Sequence, residues 1–279
     1  MDPSDDLDSD LSAASRRPWW RAGRYEIGEG VCFQIGPLGL WARRLAKEWR
    51  LAVAVGDDPL ASRLETTPST SDTPPEGFDL RRYGFRTSPD LIRLRPLLAD
   101  RPLVVGPEAP FLLPPGEETT VYVSMPVWVV VEVGGPHTPL LETPSHRLSD
   151  TWFGPTTREG ELCYSLRTSA RLTLDALPIR PHRAIAVTRI HNRATTVLEV
   201  DRFTLPAPNM SLFVDSSGGL WTEPVDLVRE HDGTHADVRL AVGAPSEATA
   251  ATRLGGPRRE GGSNLLQRAF GGLIRELRG

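Results

Sequence analysis

From Leu162 to Leu174 the chain keeps a strict two-residue rhythm. Leu162, Tyr164, Leu166, Thr168, Ala170, Leu172 and Leu174 hold one parity; Cys163, Ser165, Arg167, Ser169, Arg171 and Thr173 hold the other. A period of two is the side-chain repeat of a strand and is incompatible with the 3.6 of a helix. A strand of that length would run roughly 43 Å. It is therefore expected to bend near Ser169 and change sheets. The same rhythm recurs at Val31, Phe33 and Ile35, at Trp49, Leu51, Val53 and Val55, and on the odd positions from Val121 to Val133. Pro126 falls on the opposite parity of that last run, which suits an edge or a bend between two strands. Leu38–Arg44, Leu91–Leu98, Leu103–Val105 and Met210–Val214 read as further strands.

Turn chemistry separates these segments. The chain holds 25 Gly and 26 Pro, nearly one residue in five hostile to helix. Gly28-Glu29-Gly30 and Gly36-Pro37-Leu38-Gly39 read as hairpin turns. Ile185–Ile190 and Val197–Leu205 are expected to pair with each other. Val225–Glu230 is expected to pair with Ala236–Val242 across Asp232-Gly233, the strongest short-range hairpin signal. Many short strands without a long helix among them predict an all-β protein: two β-sandwich domains in tandem, Ig-like or jelly-roll-like.

The expected division has six parts. Residues 1–17 form a disordered acidic tail, with five Asp and no base over residues 1–15. The N-terminal sandwich spans 18–136, a linker 137–160 and the C-terminal sandwich 161–242. A flexible linker spans 243–262, and an amphipathic helix 263–279. Inside the first sandwich, residues 57–77 read as a long polar loop.

The helix assignment rests on the wheel. Leu265, Leu266, Ala269, Phe270, Leu273, Ile274 and Leu277 cover one half, while Gln267, Arg268, Arg275 and Arg278 occupy the other. From Arg253 onward six Arg stand against two Glu, a local charge of +4. A basic amphipathic helix on a tether suits an anionic membrane or a partner's groove. The competing expectation is docking on its own domain. Gly271-Gly272 weakens the helix by about 2 kcal/mol, so it needs a surface to form.

The bulk numbers exclude several classes. A net charge of −4 gives no reason to expect nucleic-acid binding. Two distant cysteines, Cys32 and Cys163, support neither a disulfide framework nor a thiolate zinc site. The N-terminal segment is acidic where a signal peptide is basic, and Val121–Val133 is too short to cross a bilayer as a helix. The expected location is the cytoplasm, peripheral to the inner face of the cell membrane. His231 and His235 are four apart, but Asp-Gly makes them a hairpin tip, so no metal and no cofactor is expected. Ser145-His146-Arg147-Leu148-Ser149-Asp150 has triad residue types packed too closely in sequence to act as a triad. The loop around 150–161 brings Trp152, Phe153, Arg158, Glu159 and Glu161 together. It suits a sugar or small ligand, less well a hydrolytic carboxylate pair. Its commonest use is aromatic and ionic packing between domains.

Four stretches carry a resemblance: Tyr25-Glu26-Ile27-Gly28-Glu29-Gly30, Pro114-Pro115-Gly116-Glu117-Glu118, Asp150-Thr151-Trp152-Phe153-Gly154-Pro155 and Arg158-Glu159-Gly160-Glu161-Leu162-Cys163-Tyr164. They resemble the DUF432 family of β-rich prokaryotic proteins, over most of residues 20–242 and without either tail. The resemblance implies no assigned activity and no catalytic residues. Through gene proximity it points to a membrane-protein partner, a small-conductance mechanosensitive-type channel. The expected function is a non-catalytic adaptor that docks through Leu265, Leu266, Phe270, Leu273, Ile274 and Leu277, with Arg268, Arg275 and Arg278 meeting acidic groups or lipid phosphates. The alternative is a ligand-binding sandwich protein using the 150–161 loop. Oligomeric state has no signature in the sequence.

Overall fold

The period-two segments become strands. The computed structural model describes residues 18–270 apart from 136–137, 155, 157, 233–234 and 261–263; for 167–169 and 264–268 the description is of backbone alone. Among the described residues there are 23 strands and two single 3-10 turns. The chain is β-rich, as the alternation requires.

Two compact units divide the chain, which passes between them three times. The first unit opens with β1 (Gly23–Arg24), β2 (Gly30–Ile35), β3 (Leu38–Leu45), β4 (Glu48–Val55), β5 (Leu64–Ser69), β6 (Asp79–Gly84) and β7 (Leu91–Leu97). The second begins with β8 (Leu103–Pro107), β9 (Phe111–Leu113) and β10 (Glu118–Pro126). β11 (Trp128–Val133) and β12 (Pro139–Pro144) return to the first. The rest complete the second: β13 (Ser149–Phe153), β14 (Glu161–Arg171), β15 (Arg183–Asn192), β16 (Leu198–Val200), β17 (Phe203–Leu205), β18 (Leu212–Val214), β19 (Leu220–Thr222), β20 (Val225–Arg229), β21 (His235–Leu240), β22 (Thr252–Gly255) and β23 (Asn264–Arg268). The sequence suggested one domain after another; instead each unit draws on two separate stretches. The 137–160 segment, expected as a linker, supplies β12, paired with β11, and β13, paired with β14. The 243–262 segment supplies β22, paired with β18, and buries Ala248. Strand pairing is decided by distant neighbours, which local composition does not reveal.

The first unit contains two antiparallel sheets, ordered β5-β2-β3-β4-β6 and β1-β7-β11-β12. Val31, Phe33 and Ile35 lie opposite Ala42, Leu40 and Leu38, forming one buried face. Trp41 and Arg43 have the other parity, yet they too are buried. The end of β5 and the stretch after it cover them: Trp41 Nε1 donates to Ser69 Oγ at 3.0 Å, and Arg43 Nη1 to the Ser71 carbonyl at 3.1 Å. β5 lies inside the expected polar loop, pairing from Gly30↔Ser69 to Ile35↔Leu64. It is an edge strand, largely exposed, so no buried face imposes an apolar rhythm on it. Buried Arg44 gives Nε to Ser88 Oγ at 3.0 Å, Nη2 to the Ser88 carbonyl at 2.7 Å and Nη1 to the Tyr25 carbonyl at 2.6 Å. Burial pushes the Glu132 carboxyl up, but hydrogen bonds from Arg93 and Arg95 outweigh it and hold the group below its usual range.

The second unit carries a twelve-stranded mixed sheet and the short β9–β16 ladder. β10 and β15 pair from Glu118↔His191 to Pro126↔Arg183, and at Pro126 the chain turns out toward β11. β14 shifts register between Leu166 and Ala170, close to the bend expected near Ser169, but the strand stays in this one mixed sheet and does not change sheets. The Asp232-Gly233 hairpin pairs Val225↔Leu240 through Val228↔Asp237. β15 and the 197–205 segment do not pair with each other: β16 goes to β9 and β17 to β8.

The C-terminal segment overturns an expectation. Residues 264–268 form a strand, not the first turns of a helix, and run antiparallel to β21 from His235↔Arg268 to Arg239↔Asn264. Ala269 and Phe270 are buried, the Thr204 N–H donates to the Ala269 carbonyl at 3.0 Å, and Phe270 bridges to Phe203. An open hairpin edge offers five residues of backbone pairing, whereas a short helix beside Gly271-Gly272 is marginal by itself. Leu273, Ile274, Arg275, Leu277 and Arg278 lie outside the described residues.

Candidate functional site: a groove between two sheet edges

In the first unit each sheet ends on a short strand, β1 in one and β5 in the other. A cleft of about 540 Å³ lies against both, lined by Arg24 of β1, by Tyr25, by residues 28–31 of the turn into β2, and by Thr66, Pro68, Ser69 and Thr70 of the neighbouring β5 and its exit.

A tight turn shapes the first wall. The Glu29 N–H donates to the Glu26 carbonyl at 3.1 Å, and Gly28 adopts φ +94°, a conformation natural to glycine. The Glu29 carboxylate folds back to accept the Glu26 N–H at 2.6 Å. Two further bonds fasten the turn to β3: Gly28 N–H to the Arg44 carbonyl at 2.8 Å, and Arg44 N–H to the Glu29 carbonyl at 3.0 Å. Tyr25 lies edge-on to Trp49, with ring centroids 6.2 Å apart. Its ring also covers Gly23, where a Cβ would come within 2.9 Å of it. Burial, and then the charge of Glu29, push the Tyr25 phenol pKa up. The hydroxyl therefore stays protonated and serves as both donor and acceptor.

The second wall ends in β5, an edge strand among the described residues. The Gly36 N–H donates to the Arg63 carbonyl at 2.7 Å, which fixes the phase of the β2–β5 ladder. Antiparallel pairs alternate between bonded and non-bonded. Gln34↔Glu65, Cys32↔Thr67 and Gly30↔Ser69 are then the bonded pairs, and Leu64, Thr66 and Pro68 turn their backbone groups away from β2. Pro68 has no N–H, so the outward row loses one donor there. This is where an edge strand tolerates proline. Arg24, at the rim, is ion-paired to Asp90.

A second cleft of about 220 Å³ lies on the opposite face of the same sheet, against Cys32, Gln34, Gly39, Thr67, Pro75 and Phe78. Gln34, Arg63 and Glu65 of its lining are engaged: Gln34 Nε2 donates to the Gly36 carbonyl at 2.7 Å and Arg63 Nε to Glu65 at 2.7 Å.

The residues around 150–161 fold as the β13–β14 hairpin. Trp152 is 44% exposed, stands opposite Leu162 and donates Nε1 to the Thr156 carbonyl at 2.7 Å. Phe153 points the other way and is buried with Val104 and Cys163. Thr156 Oγ1 accepts the Arg158 and Glu159 N–H groups, and both residues are exposed. Gly154 and Gly160 pack so closely that a Cβ on Gly154 would come within 2.0 Å of the Glu159 carbonyl. Burial raises the Glu161 carboxyl, with Arg259 opposing. Trp152 and Phe153 thus serve opposite faces of one strand. Both cysteines are free thiols, and burial pushes the Cys163 thiol up to about 12, well away from reactivity. Among the described residues no three His, Cys, Asp or Glu side chains converge as metal ligands.

Of the sequence-selected anchors, Phe270 is in the core, and Leu265, Leu266 and Arg268 are in β23. The groove residues escaped the sequence reading because 25–30 looked like a plain turn and 66–70 like plain loop. The usable signal was Thr66-Thr67-Pro68, β-forming residues beside a proline tolerated only on an edge.

A family model described as "Protein of unknown function (DUF432)" matches residues 19–275. The match takes in the C-terminal segment as well as both units. No curated protein and no solved structure matches.

Proposed function

This chain belongs to the DUF432 family, and from that footing we propose that it is a non-catalytic adaptor or accessory subunit that docks through the groove between β1 and β5. One observation carries the reading: an open cleft lies beside β5, an edge strand whose outward backbone groups at Leu64 and Thr66 have no strand beside them among the described residues. Rows of unpaired donors and acceptors are what a partner polypeptide recognises. The partner class, a small-conductance mechanosensitive-type channel, comes from the family resemblance, and the proposed place of action is the inner face of the membrane beside it. Among the described residues no helix is long and apolar enough to cross a bilayer. Docking by a C-terminal helix loses its support at Phe270, which is committed to the core. A sandwich in each unit is the finer fold reading, supported in the first by its two antiparallel sheets.

The test is co-purification of the full chain with a co-expressed channel of that type. Thr66→Trp and Thr70→Trp should fill the groove, leave the melting curve unchanged and abolish recovery of the channel. Equal recovery with both variants would contradict the groove.

A second reading draws on Trp152, exposed opposite Leu162, with Asp150 bonded to Arg101 at 3.1 Å nearby on β13. A sugar ring would stack on that indole. Loss of oligosaccharide binding in Trp152→Ala, with none in Thr70→Trp, would favour it.

A further inference from the structure

We infer that the groove takes an extended segment of the partner, which adds to β5 as a sixth strand and sets a Lys or Arg side chain against Glu29. The inference rests on the adaptor reading and specifies what enters the site.

The backbone argues for a strand. Leu64 and Thr66 present outward N–H and C=O groups about 6.8 Å apart, two residues along a strand, the repeat at which an incoming antiparallel strand places its own. A sugar or a nucleotide has no such repeat. Pro68 argues against a second copy of this chain. Two β5 strands paired about Thr66 would set Leu64 against Pro68 twice, and each encounter would leave a carbonyl without its N–H. A partner of different sequence can begin its pairing at Thr66 and avoid that loss.

Charge selects the side chain. Arg24 is already neutralised by Asp90. Glu29 also lines the cleft, and among the described residues it forms no ion pair; its one side-chain bond is to the Glu26 N–H. An incoming cation would meet that carboxylate beside the Tyr25 ring, where charge-assisted bonding and ring contact both favour it. The Thr66 and Thr70 hydroxyls complete a wall suited to polar flanking residues.

The test uses the full chain and two labelled ten-residue peptides of alternating Thr and Val, one with a central Arg and the other with Glu in its place. Fluorescence polarisation gives affinity, and amide exchange reads Leu64 and Thr66. The Arg peptide should bind about tenfold tighter than the Glu peptide and slow both amides. Glu29→Gln should erase the preference. Thr66→Pro removes an outward N–H that β2 does not use, so it should weaken binding about tenfold with an unchanged melting curve. Equal affinities for the two peptides, no binding of the Arg peptide at millimolar concentration, or full affinity in Thr66→Pro would overturn strand addition. Loss of the co-expressed channel in Thr70→Trp would still leave the adaptor reading standing.

Discussion

Two strand edges in this protein are treated differently. At the β20–β21 hairpin the chain supplies its own neighbour: β23 runs antiparallel to β21, and Phe270 then locks the segment against Phe203. At β5 no strand is supplied among the described residues, and the edge is blunted by one proline beside an open cleft. An unpaired edge is a hazard that folded proteins normally cover or disrupt. A chain that covers one edge with its own strand and leaves another accessible separates a structural edge from one available for binding.

The sharpest way to break the contrast is at the anchor. Phe270→Ala should destabilise the second unit by about 4 kcal/mol, because it removes one of the largest fully buried side chains. Chemical denaturation measures this. An unchanged midpoint would mean that the C-terminal segment is not part of the core.

Proline substitution tests the β5 ladder next. Thr67→Pro deletes an N–H bonded to Cys32 and should cost about 2 kcal/mol. Thr66→Pro, one residue earlier, should cost about 0.5 kcal/mol or less, because its N–H faces outward. Equal losses would mean the ladder has the opposite phase.

A smaller effect is expected inside the sheet that carries β23. Thr188 is buried opposite Val121 and Val225, and its hydroxyl has no hydrogen-bond partner among the described residues. Thr188→Val should stabilise the second unit by about 1 kcal/mol and leave groove binding unchanged.

The smallest effect is a pH dependence. Asp232, in the turn between β20 and β21, is held below the usual carboxyl range mainly by hydrogen bonds from Thr196 and Thr195. A depressed carboxyl contributes stability that is fully present above its unfolded value, about 3.9, and is lost as pH falls through the lower folded value. Stability of the second unit should fall more steeply below about pH 4 in the parent than in Asp232→Asn. Parallel pH curves would remove Asp232 from the account.

What was legible in the sequence follows the same division between buried and open. Val31, Phe33 and Ile35 announced a core face because one side of β2 is buried. Pro126 announced the break between β10 and β11, and Asp232-Gly233 the hairpin. β5 was invisible because Glu65, Thr66, Thr67 and Pro68 are exposed or half-exposed and carry no alternation. β23 was misread because its leucines fit a helical wheel and only the distant edge of β21 selects the strand. The interleaving of the units had no local signature, since β8 is flanked by β14 and β17, each remote in sequence. Tyr25 and Glu29 were noticed as part of a turn, but their role as a wall depends on β5 pairing alongside β2.

Amide hydrogen exchange on the full chain, alone and in complex with its co-purified partner, tests the open edge most directly. Slowed exchange at Leu64 and Thr66, with β23 equally protected in both states, is the predicted result. Unchanged exchange at those two amides, with new protection around Trp152 on β13, would contradict the account.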